Sequence, residues 1–416
     1  MFKFLKLKKD DSKLADLIFK ETDRQRRTLD LIPSENFVFS SMLEAIGSPL
    51  MNKYSEGYPG KRYYPGNFYY DKIEKLAQER ARKVFNLNKN WHINVQPYSG
   101  TPANIAIYLG LLNFNDKIMG MKLSAGGHLS HGHNVSFSGR GYKVVHYGVD
   151  LKNGFLNYTE IEKLAKKHKP KMIICGATAY PRIIDFQKFS QIAKKVGAYL
   201  LADISHIAGL VAAKIHPSPF PFADVVMTTT HKTLRGPRGA VIFCKKELGE
   251  KIDKAVFPGL QGGPHNNTIA GIALAFHLAK SKNFINYQKQ ILKNAGTLAK
   301  SLKNFGFDLV TGGTDNHLIL IDLKNIGING FEAEKLLERA GIIANRNTIP
   351  SDVSAFRPSG LRLGTPALTS RGMKEKEMKR IAFWIYQILI LKKSPEKIKK
   401  EVEKMAIKFI LPGIDE

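Results

Sequence analysis

Cysteine is scarce in this 416-residue chain. Only Cys175 and Cys244 occur, and each lies in an apolar, strand-like run. Two such residues argue against a disulfide framework and favour a reducing compartment. Cysteine and histidine also do not cluster at the spacings typical of metal sites, so we predict no metal ion.

Long apolar runs are absent as well. The best candidate, residues 381–391, contains Gln387 and is too short to span a bilayer. Its apolar residues recur at helical spacing, which predicts a packed helix. The start of the chain interleaves lysines with apolar residues and lacks the apolar core of a signal peptide. We therefore expect a cytoplasmic protein that does not bind a membrane.

Acidic residues are outnumbered. The chain has 64 Lys and Arg against 36 Asp and Glu, which gives a formal net charge of +28. Such a charge suits nucleic acid, a membrane surface or an acidic substrate. The lysines are spread along the chain, however, and no nucleic-acid-binding signature accompanies them. A solvated basic surface explains them, and we expect no specific nucleic-acid partner.

Strand-like and helical segments alternate between about residues 117 and 244. Strand-like runs occupy 143–146, 171–175 and 199–203, and helical patterns lie between them. This alternation predicts βαβ units and a largely parallel sheet. A second α/β pattern follows residue 280. We predict an N-terminal arm (1–50), a large domain (51–282) and a smaller C-terminal α/β domain (283–416), since the chain is too long for one ordinary core.

Helix ends can also be predicted. A helix over 185–196 should be closed by Gly197, and Thr159 with Glu162 forms a capping-box pattern at the start of another. Residues 11–29 have a helical pattern rich in charge.

One lysine follows a predicted core strand. The β-branched run that begins at Val225 leads into His231 and Lys232, and then into a turn of Gly, Pro and Arg. A lysine in this place is either a surface residue at a strand end or one suited to imine chemistry. Asp203 ends another predicted strand, and ligand sites in parallel sheets lie beyond the carboxyl ends of strands.

A possible anion cradle precedes these residues. Ser99, Gly100 and Thr101 open an apolar helix, with Pro102 in its first turn. Free backbone N–H groups and the helix dipole favour a phosphate there, although the same pattern alone is also an ordinary N-cap.

These parts together suit pyridoxal phosphate (PLP). A lysine holds the cofactor aldehyde, a carboxylate keeps its ring nitrogen protonated, and a helix N-terminus holds its phosphate. The order cradle, His128, Asp203, Lys232 fits a type I PLP enzyme. The chain resembles the serine hydroxymethyltransferase family in eight stretches, in family order: Leu31–Phe37, Lys53–Tyr64, Gly126–Gly132, Asp203–Ala213, Thr228–Gly239, Leu260–His265, Gly312–His317 and Gly360–Thr369.

The resemblance implies the type I PLP-transferase fold and a set of cofactor contacts. Lys232 would carry PLP, Asp203 would pair with its ring nitrogen, and His128 would stack on the ring. His206 would contact the phenolic oxygen. The other contacts implied within the chain are Ser99, Gly100, Thr101 and Thr178. A partner subunit would add Tyr54, Gly262 and Gly263.

The resemblance also implies catalytic and substrate-binding residues. Arg362 would bind the substrate carboxylate, which suits its bidentate fork. Glu56 of the partner would handle the proton of the serine hydroxyl and contact folate. The other catalytic residues would be Tyr64, His231 and Thr229, and the other substrate contacts Ser34, His206, Tyr64 and Asn347.

The implied reaction is the reversible conversion of L-serine and tetrahydrofolate to glycine and 5,10-methylenetetrahydrofolate, in a homodimer with shared sites or in a tetramer. Two alternatives stay open from the sequence. One is a related, folate-independent aldolase that acts on threonine and other β-hydroxy amino acids. The other is a basic nucleic-acid-binding protein on a decayed enzyme scaffold.

Overall fold

The computed structural model describes residues 5–352 and 357–415. Within these ranges, no helix is both long enough and apolar enough to cross a membrane. The strands are β1 (Leu29–Asp30), β2 (Gly57–Tyr58), β3 (Lys61–Arg62), β4 (Trp91–Asn94), β5 (Lys117–Met121), β6 (Lys143–Tyr147), β7 (Met172–Cys175), β8 (Tyr199–Asp203), β9 (Val225–Thr229), β10 (Ala240–Lys245), β11 (Asp308–Leu309), β12 (Leu318–Asp322), β13 (Ile342–Ile343), β14 (Asn345–Asn347) and β15 (Gly360–Gly364).

The α-helices are α1 (Leu5–Asp10), α2 (Ser12–Arg27), α3 (Ser40–Ile46), α4 (Phe68–Val84), α5 (Gly100–Leu111), α6 (Phe137–Gly141), α7 (Tyr158–His168), α8 (Phe186–Val196), α9 (Ala208–Ala212), α10 (Gly249–Lys254), α11 (Asn266–Ala279), α12 (Lys282–Asn304), α13 (Gly330–Arg339), α14 (Pro366–Ser370), α15 (Glu375–Leu389) and α16 (Pro395–Ala406).

The chain forms two compact units. The central unit is Glu44–Lys289. The terminal unit combines the start of the chain, up to Leu43, with the part from Gln290 onward. Both ends of the chain therefore belong to the same unit.

The central unit is built on a seven-stranded sheet of order β4-β10-β9-β8-β7-β5-β6. Strands β9, β8, β7, β5 and β6 pair in parallel, whereas β10 runs antiparallel to both β9 and β4. The predicted fold, a mostly parallel sheet with a smaller C-terminal α/β part, is confirmed. The single reversed strand was not predicted.

Both faces of the inner parallel strands β5, β7, β8 and β9 are buried, as expected for strands made of near-continuous apolar runs. On one face, Ile174, Leu201 and Met227 pack with the buried side of α5, including Ile107. Residues of opposite parity, such as Leu200, are just as buried on the other face.

The register explains where Asp203 points. Asp203 lies opposite Met227, and side chains two residues apart share a face. Asp203 therefore points to the face that carries α5, whose first residues are the predicted phosphate cradle. This face of the sheet brings the strand-end carboxylate and the helix start together.

The terminal unit has its own antiparallel sheet of order β11-β12-β15-β14. Its core includes Ile319, Leu363 and, from α15, Ile381 and Ile385. The predicted packed helix over 381–391 is thus real, although it begins earlier, at Glu375. Strand β1 joins this unit by pairing in parallel with β13.

The predicted helix ends were partly right. Asp185 caps α8 by accepting from the Lys188 N–H at 2.9 Å, and Gly197 closes the helix with φ 67°. The capping box at Thr159 was wrong, because α7 starts at Tyr158 and its N-cap is Asn157, two residues before Thr159. The predicted helix over 11–29 was too long, because Leu29 pairs with Ile342 in a strand.

Candidate active site

A cavity of about 200 Å³ lies in the central unit beyond the carboxyl ends of β8 and β9. Most of the residues that line it have polar side chains. It consists of Ser99, Gly100, Thr101, Asn104, His128, His131, Ala177, Thr178, Asp203, Ser205, His206, Met227, Thr229, His231 and Lys232. Ten residues predicted from the sequence therefore meet around one space: Ser99, Gly100, Thr101, His128, Thr178, Asp203, His206, Thr229, His231 and Lys232.

Lys232 lies in a loop whose base is fixed. The Thr230 N–H donates to the Gly239 carbonyl at 3.0 Å, and the Gly236 N–H donates to the Thr230 carbonyl at 2.7 Å. The Arg235 N–H donates to the carbonyl of Lys232 itself at 3.0 Å. The main chain that carries the lysine is therefore held on both sides.

Asp203 is almost enclosed and is held by three donors. His131 Nε2 contacts Oδ2 at 3.0 Å, Asn104 Nδ2 donates to Oδ2 at 3.1 Å, and the Ser205 N–H donates to Oδ1 at 3.0 Å. Burial acts to raise the pKa of the Asp203 carboxyl. The hydrogen bonds from His131 and Ser205 and the positive charge of Lys232 outweigh burial and hold this pKa below its usual range. The group is therefore a carboxylate at neutral pH.

His128 sits at the end of a short polar chain. Its Nδ1 lies 2.7 Å from the Ser130 hydroxyl and accepts the Ser130 N–H at 3.1 Å. The Ser130 hydroxyl in turn accepts from Asn104 Nδ2 at 2.9 Å. The imidazole is thus oriented by Ser130, which Asn104 holds in turn.

The start of α5 is suited to an anion. Ser99 is the N-cap in extended conformation, and its side chain makes no capping bond to its own helix. A Cβ at Gly100 would come within 2.7 Å of the Thr229 methyl carbon, so only glycine fits without a shift of its neighbour. Ser99, Gly100 and Thr101 all line the cavity, so the N–H groups that open α5 lie beside it.

The other predicted residues line the remaining walls. The Thr178 hydroxyl donates to the Gly127 carbonyl at 2.8 Å. His206 is buried, and its carbonyl accepts from Thr233 Oγ1 at 2.8 Å. Burial, with the charges of Lys232 and Arg238, lowers the pKa of His231 to about 3, so this ring is neutral at physiological pH.

A second group of predicted residues lies elsewhere in the central unit. A Cβ on Gly263 would lie 3.3 Å from the Tyr54 ring and 3.5 Å from the Glu56 side chain, and one on Gly262 would lie 3.7 Å from Glu56. The Tyr54 and Tyr64 rings are 5.6 Å apart. None of these five residues, all of them described, is among those that line the cavity of the same chain.

Arg62 fixes the loop that carries Glu56. Its guanidinium donates to the carbonyls of Ser55 and Gly57, both at 2.7 Å, on either side of Glu56. The same group binds Asp71 at 2.8 Å and Glu74 at 2.7 Å. The main chain at Glu56 is therefore tied to a buried ionic network.

Three predicted substrate contacts belong to the terminal unit. Arg362, on β15, lies opposite Asn345 of β14 and donates to its side-chain oxygen at 3.2 Å. Asn347 lies two residues along β14, on the same face. The Gly364 N–H donates to the Leu31 carbonyl at 2.7 Å, which holds the segment that leads to Ser34 beside the end of β15. Burial lowers the pKa of Arg362 to about 10, so it stays charged at neutral pH.

Residues 7–385 match the family model described as serine hydroxymethyltransferase. The chain belongs to the serine hydroxymethyltransferase family. The match spans most of the chain, which confirms the resemblance drawn from the motifs. Members use PLP and interconvert serine and glycine with tetrahydrofolate, and the activity of this chain is that of the family.

The cavity fits PLP. Buried polar atoms without a protein partner line it: Asn104 Oδ1, His131 Nδ1, Thr229 Oγ1 and His231 Nδ1. An anion cradle at the start of α5, a carboxylate and a lysine are the groups that this cofactor needs. The residues present therefore suit the cofactor of the family.

Sequence reasoning missed five lining residues: Asn104, His131, Ala177, Ser205 and Met227. Asn104 lies in the second turn of α5, and His131 lies three residues after His128. Their positions in the sequence indicate a role in the site only once Asp203 is known to face α5. Polar residues on the buried side of an otherwise apolar helix were the clue that could have found Asn104.

Proposed function

We propose that the central unit binds PLP in this cavity and that the serine hydroxymethyltransferase reaction takes place there. The observation that carries the proposal is the shared lining, because Lys232, Asp203 and the Ser99–Thr101 cradle all face one space. The cofactor, when bound, supplies an electron-accepting ring for cleavage of the Cα–Cβ bond of serine.

Each residue has a role that follows from its surroundings. Lys232 would hold the cofactor covalently through Nζ, and its amine would accept and return a proton only when it is free of that bond. Asp203 is ionised and would hold a proton on the ring nitrogen. His128 would lie against the ring, His206 and Thr178 would contact the edge with the phenolic oxygen, and the Ser99–Thr101 segment would bind the phosphate.

Two further groups act beside Lys232. His231 is neutral and is not a proton reservoir at physiological pH. The Thr229 hydroxyl is buried without a protein partner, and we propose that it contacts Lys232 and the bound substrate.

For the amino acid, we assign the carboxylate to Arg362, because a planar guanidinium binds a carboxylate through two parallel hydrogen bonds. Ser34 and His206 assist. Asn347 meets the folate pterin. Arg362 and Asn347 lie on paired strands, and Ser34 follows a segment held by hydrogen bonds, which limits their motion as substrate orientation requires.

We also propose that the protein is at least a homodimer that exchanges Tyr54, Glu56, Tyr64, Gly262 and Gly263 between subunits. These residues lie together and outside the cavity of their own chain, and Tyr54 is 64% exposed. Glu56 would then move the proton of the serine hydroxyl in the partner's site. A group of exposed aromatic residues of this kind is unusual on a free surface.

A complementation experiment tests the exchange. The Lys232→Ala and Glu56→Gln variants are each expected to be inactive. Because one site of a mixed dimer would carry both mutations and the other neither, co-expression should restore up to about a quarter of the wild-type activity. No recovery despite mixed dimers would contradict the shared site, while the reaction itself would still stand.

The reaction is tested by product analysis. Purified protein with PLP should convert serine to glycine only when tetrahydrofolate is added, and glycine with tetrahydrofolate should produce a new long-wavelength absorption band. Lys232→Ala is the control. Folate-independent cleavage of threonine at the rate of the serine reaction would favour the aldolase instead.

We further propose a cytoplasmic location. Cys175 and Cys244 are both free and buried, and neither depends on an oxidising compartment. Fractionation of cells that express the tagged chain would test this.

A further inference from the structure

One buried amide joins Asp203 to Ser130, the residue that holds His128. Asn104 is 1% exposed, and its Nδ2 donates to Asp203 Oδ2 at 3.1 Å and to the Ser130 hydroxyl at 2.9 Å. The orientation of the amide follows from chemistry. An ionised carboxylate only accepts hydrogen bonds, so the NH₂ group must face Asp203.

The direction of the next hydrogen bond then follows. The Ser130 hydroxyl has one proton. It accepts from Asn104 and is 2.7 Å from His128 Nδ1, so it donates there. The Ser130 N–H donates to the same nitrogen at 3.1 Å. With two donors on Nδ1, the proton of a neutral His128 lies on Nε2.

The helix that carries Asn104 also holds the rest of Ser130. Tyr108 lies four residues later on α5, on the same side of the helix, and its hydroxyl donates to the Ser130 carbonyl at 2.7 Å. One face of α5 therefore holds Ser130 by two hydrogen bonds, from Asn104 to its side chain and from Tyr108 to its main chain. The geometry from Asp203 to His128 is set by α5 and does not depend on solvent.

We propose that Asn104 and Ser130 are positioning residues that link Asp203 to His128 and hold His128 in the Nε2–H form. The inference rests on the proposed function, in which both linked groups contact PLP. In this arrangement, the carboxylate at one edge of the ring and the imidazole on its face keep one relative geometry. The Asn104 amide donates a hydrogen bond to Asp203 on one side and to Ser130 on the other, and the Ser130 hydroxyl donates in turn to His128.

A purely structural role for Asn104 is the competing explanation, and size-matched variants separate the two. Asn104→Leu keeps the volume and removes both donors. Ser130→Ala removes the hydroxyl, whereas Ser130→Thr keeps it and is the matched control. The double variant Asn104→Leu/Ser130→Ala shows whether the two residues act through one chain.

Two measurements are made on the PLP-loaded protein, and neither involves serine or folate. The side-chain ¹⁵N shifts of labelled histidine report which nitrogen of His128 carries the proton, with His128→Gln used to assign its signals. Equilibrium dialysis gives the PLP dissociation constant. Failure of catalysis in the wild type would refute the proposed function and leave these results interpretable.

We expect the wild type and Ser130→Thr to show an unprotonated Nδ1. Ser130→Ala and Asn104→Leu should lose this signature and bind PLP about ten-fold more weakly, the effect of one lost hydrogen bond to a charged or buried group. The double variant should be within about two-fold of Asn104→Leu, because residues in one chain are not additive.

Unchanged ¹⁵N shifts and PLP affinity in both Ser130→Ala and Asn104→Leu would overturn the proposal. So would a Ser130→Thr variant as damaged as Ser130→Ala. If Asn104→Leu does not fold, the comparison of the two Ser130 variants decides alone.

Discussion

Replacement of Arg62 should affect stability and catalysis together. Its side chain is 4% exposed and binds two carboxylates, Asp71 and Glu74, and two carbonyls, those of Ser55 and Gly57. Removing one partner of such a buried pair costs about 3–5 kcal/mol, because the other charges lose their compensation. Burial already raises the pKa of Glu74 against the influence of Arg62. Without the guanidinium, Glu74 would take up a proton and reduce this cost.

Arg62→Lys is the sharper variant, because it keeps the charge. An ammonium group cannot reach four acceptors that a planar fork reaches at 2.7–2.8 Å. We expect a loss of about 2 kcal/mol in the free energy of unfolding, the value of one or two charge-assisted hydrogen bonds. Since the freed carbonyls flank Glu56, kcat/KM for serine should fall by roughly 10²-fold, as for a small misplacement of a reacting group.

Urea unfolding and steady-state kinetics measure the two effects of Arg62→Lys. Arg339→Lys is the control, because its pair with Glu396 is more than half exposed and should contribute little to stability. If Arg62→Lys unfolds like the control and keeps its kcat/KM, the loop is held by other contacts and the reasoning is wrong.

Three further predictions concern single residues. Arg371→Met should lower the free energy of unfolding by about 3 kcal/mol in urea titrations, because the buried guanidinium donates to main-chain carbonyls at the ends of α2 and α16. His231→Gln should reduce the acid sensitivity of the protein. Between pH 6.5 and 3, His231 binds fewer protons in the folded wild type than in the unfolded chain. As the pH falls through this window, the free energy of unfolding of the wild type should therefore decrease by about 1.4 kcal/mol per pH unit more than that of His231→Gln. Gly100→Ala should weaken PLP binding about ten-fold in equilibrium dialysis, since its methyl group would meet Thr229 at 2.7 Å.

Each of these has a result that would contradict it. An Arg371→Met protein as stable as the wild type would mean that water satisfies those carbonyls. Parallel pH–stability curves for the wild type and His231→Gln would show that His231 is protonated in the folded state. Gly148→Ala is the control for Gly100→Ala, because no atom lies within 4 Å of its Cβ position. Equal PLP affinities of the two variants would exclude a steric limit at the cradle.

The parts of the site that follow strands were predictable from the sequence. The β-branched run before Lys232 and the apolar run that ends at Asp203 fix the strand type and the strand end, and parallel pairing brings these ends together. The start of α5 carried its own local pattern of Ser99, Gly100 and Thr101. These signals are short-range, so a single sequence contains them.

Contacts set by long-range packing were not predictable. Asn104 meets Asp203 only because the register turns Asp203 toward α5. The reversal of β10 also has no local signature. The capping error at Thr159 arose differently: Glu162 pairs with Lys166 and Lys195 and does not return to the helix start.

Strand β1 has a consequence for the order of synthesis. Its partner β13 follows roughly 310 residues later in the chain. At about 5–20 residues per second, a ribosome needs roughly 15–60 s to produce that partner. The central unit can fold during this time, whereas the segment that ends at Leu43 cannot pack until the rest of the terminal unit has been synthesised. Its buried residues, Leu29 and Leu31 among them, are therefore open to chaperones during translation, and slowing elongation after Lys289 should lengthen that exposure.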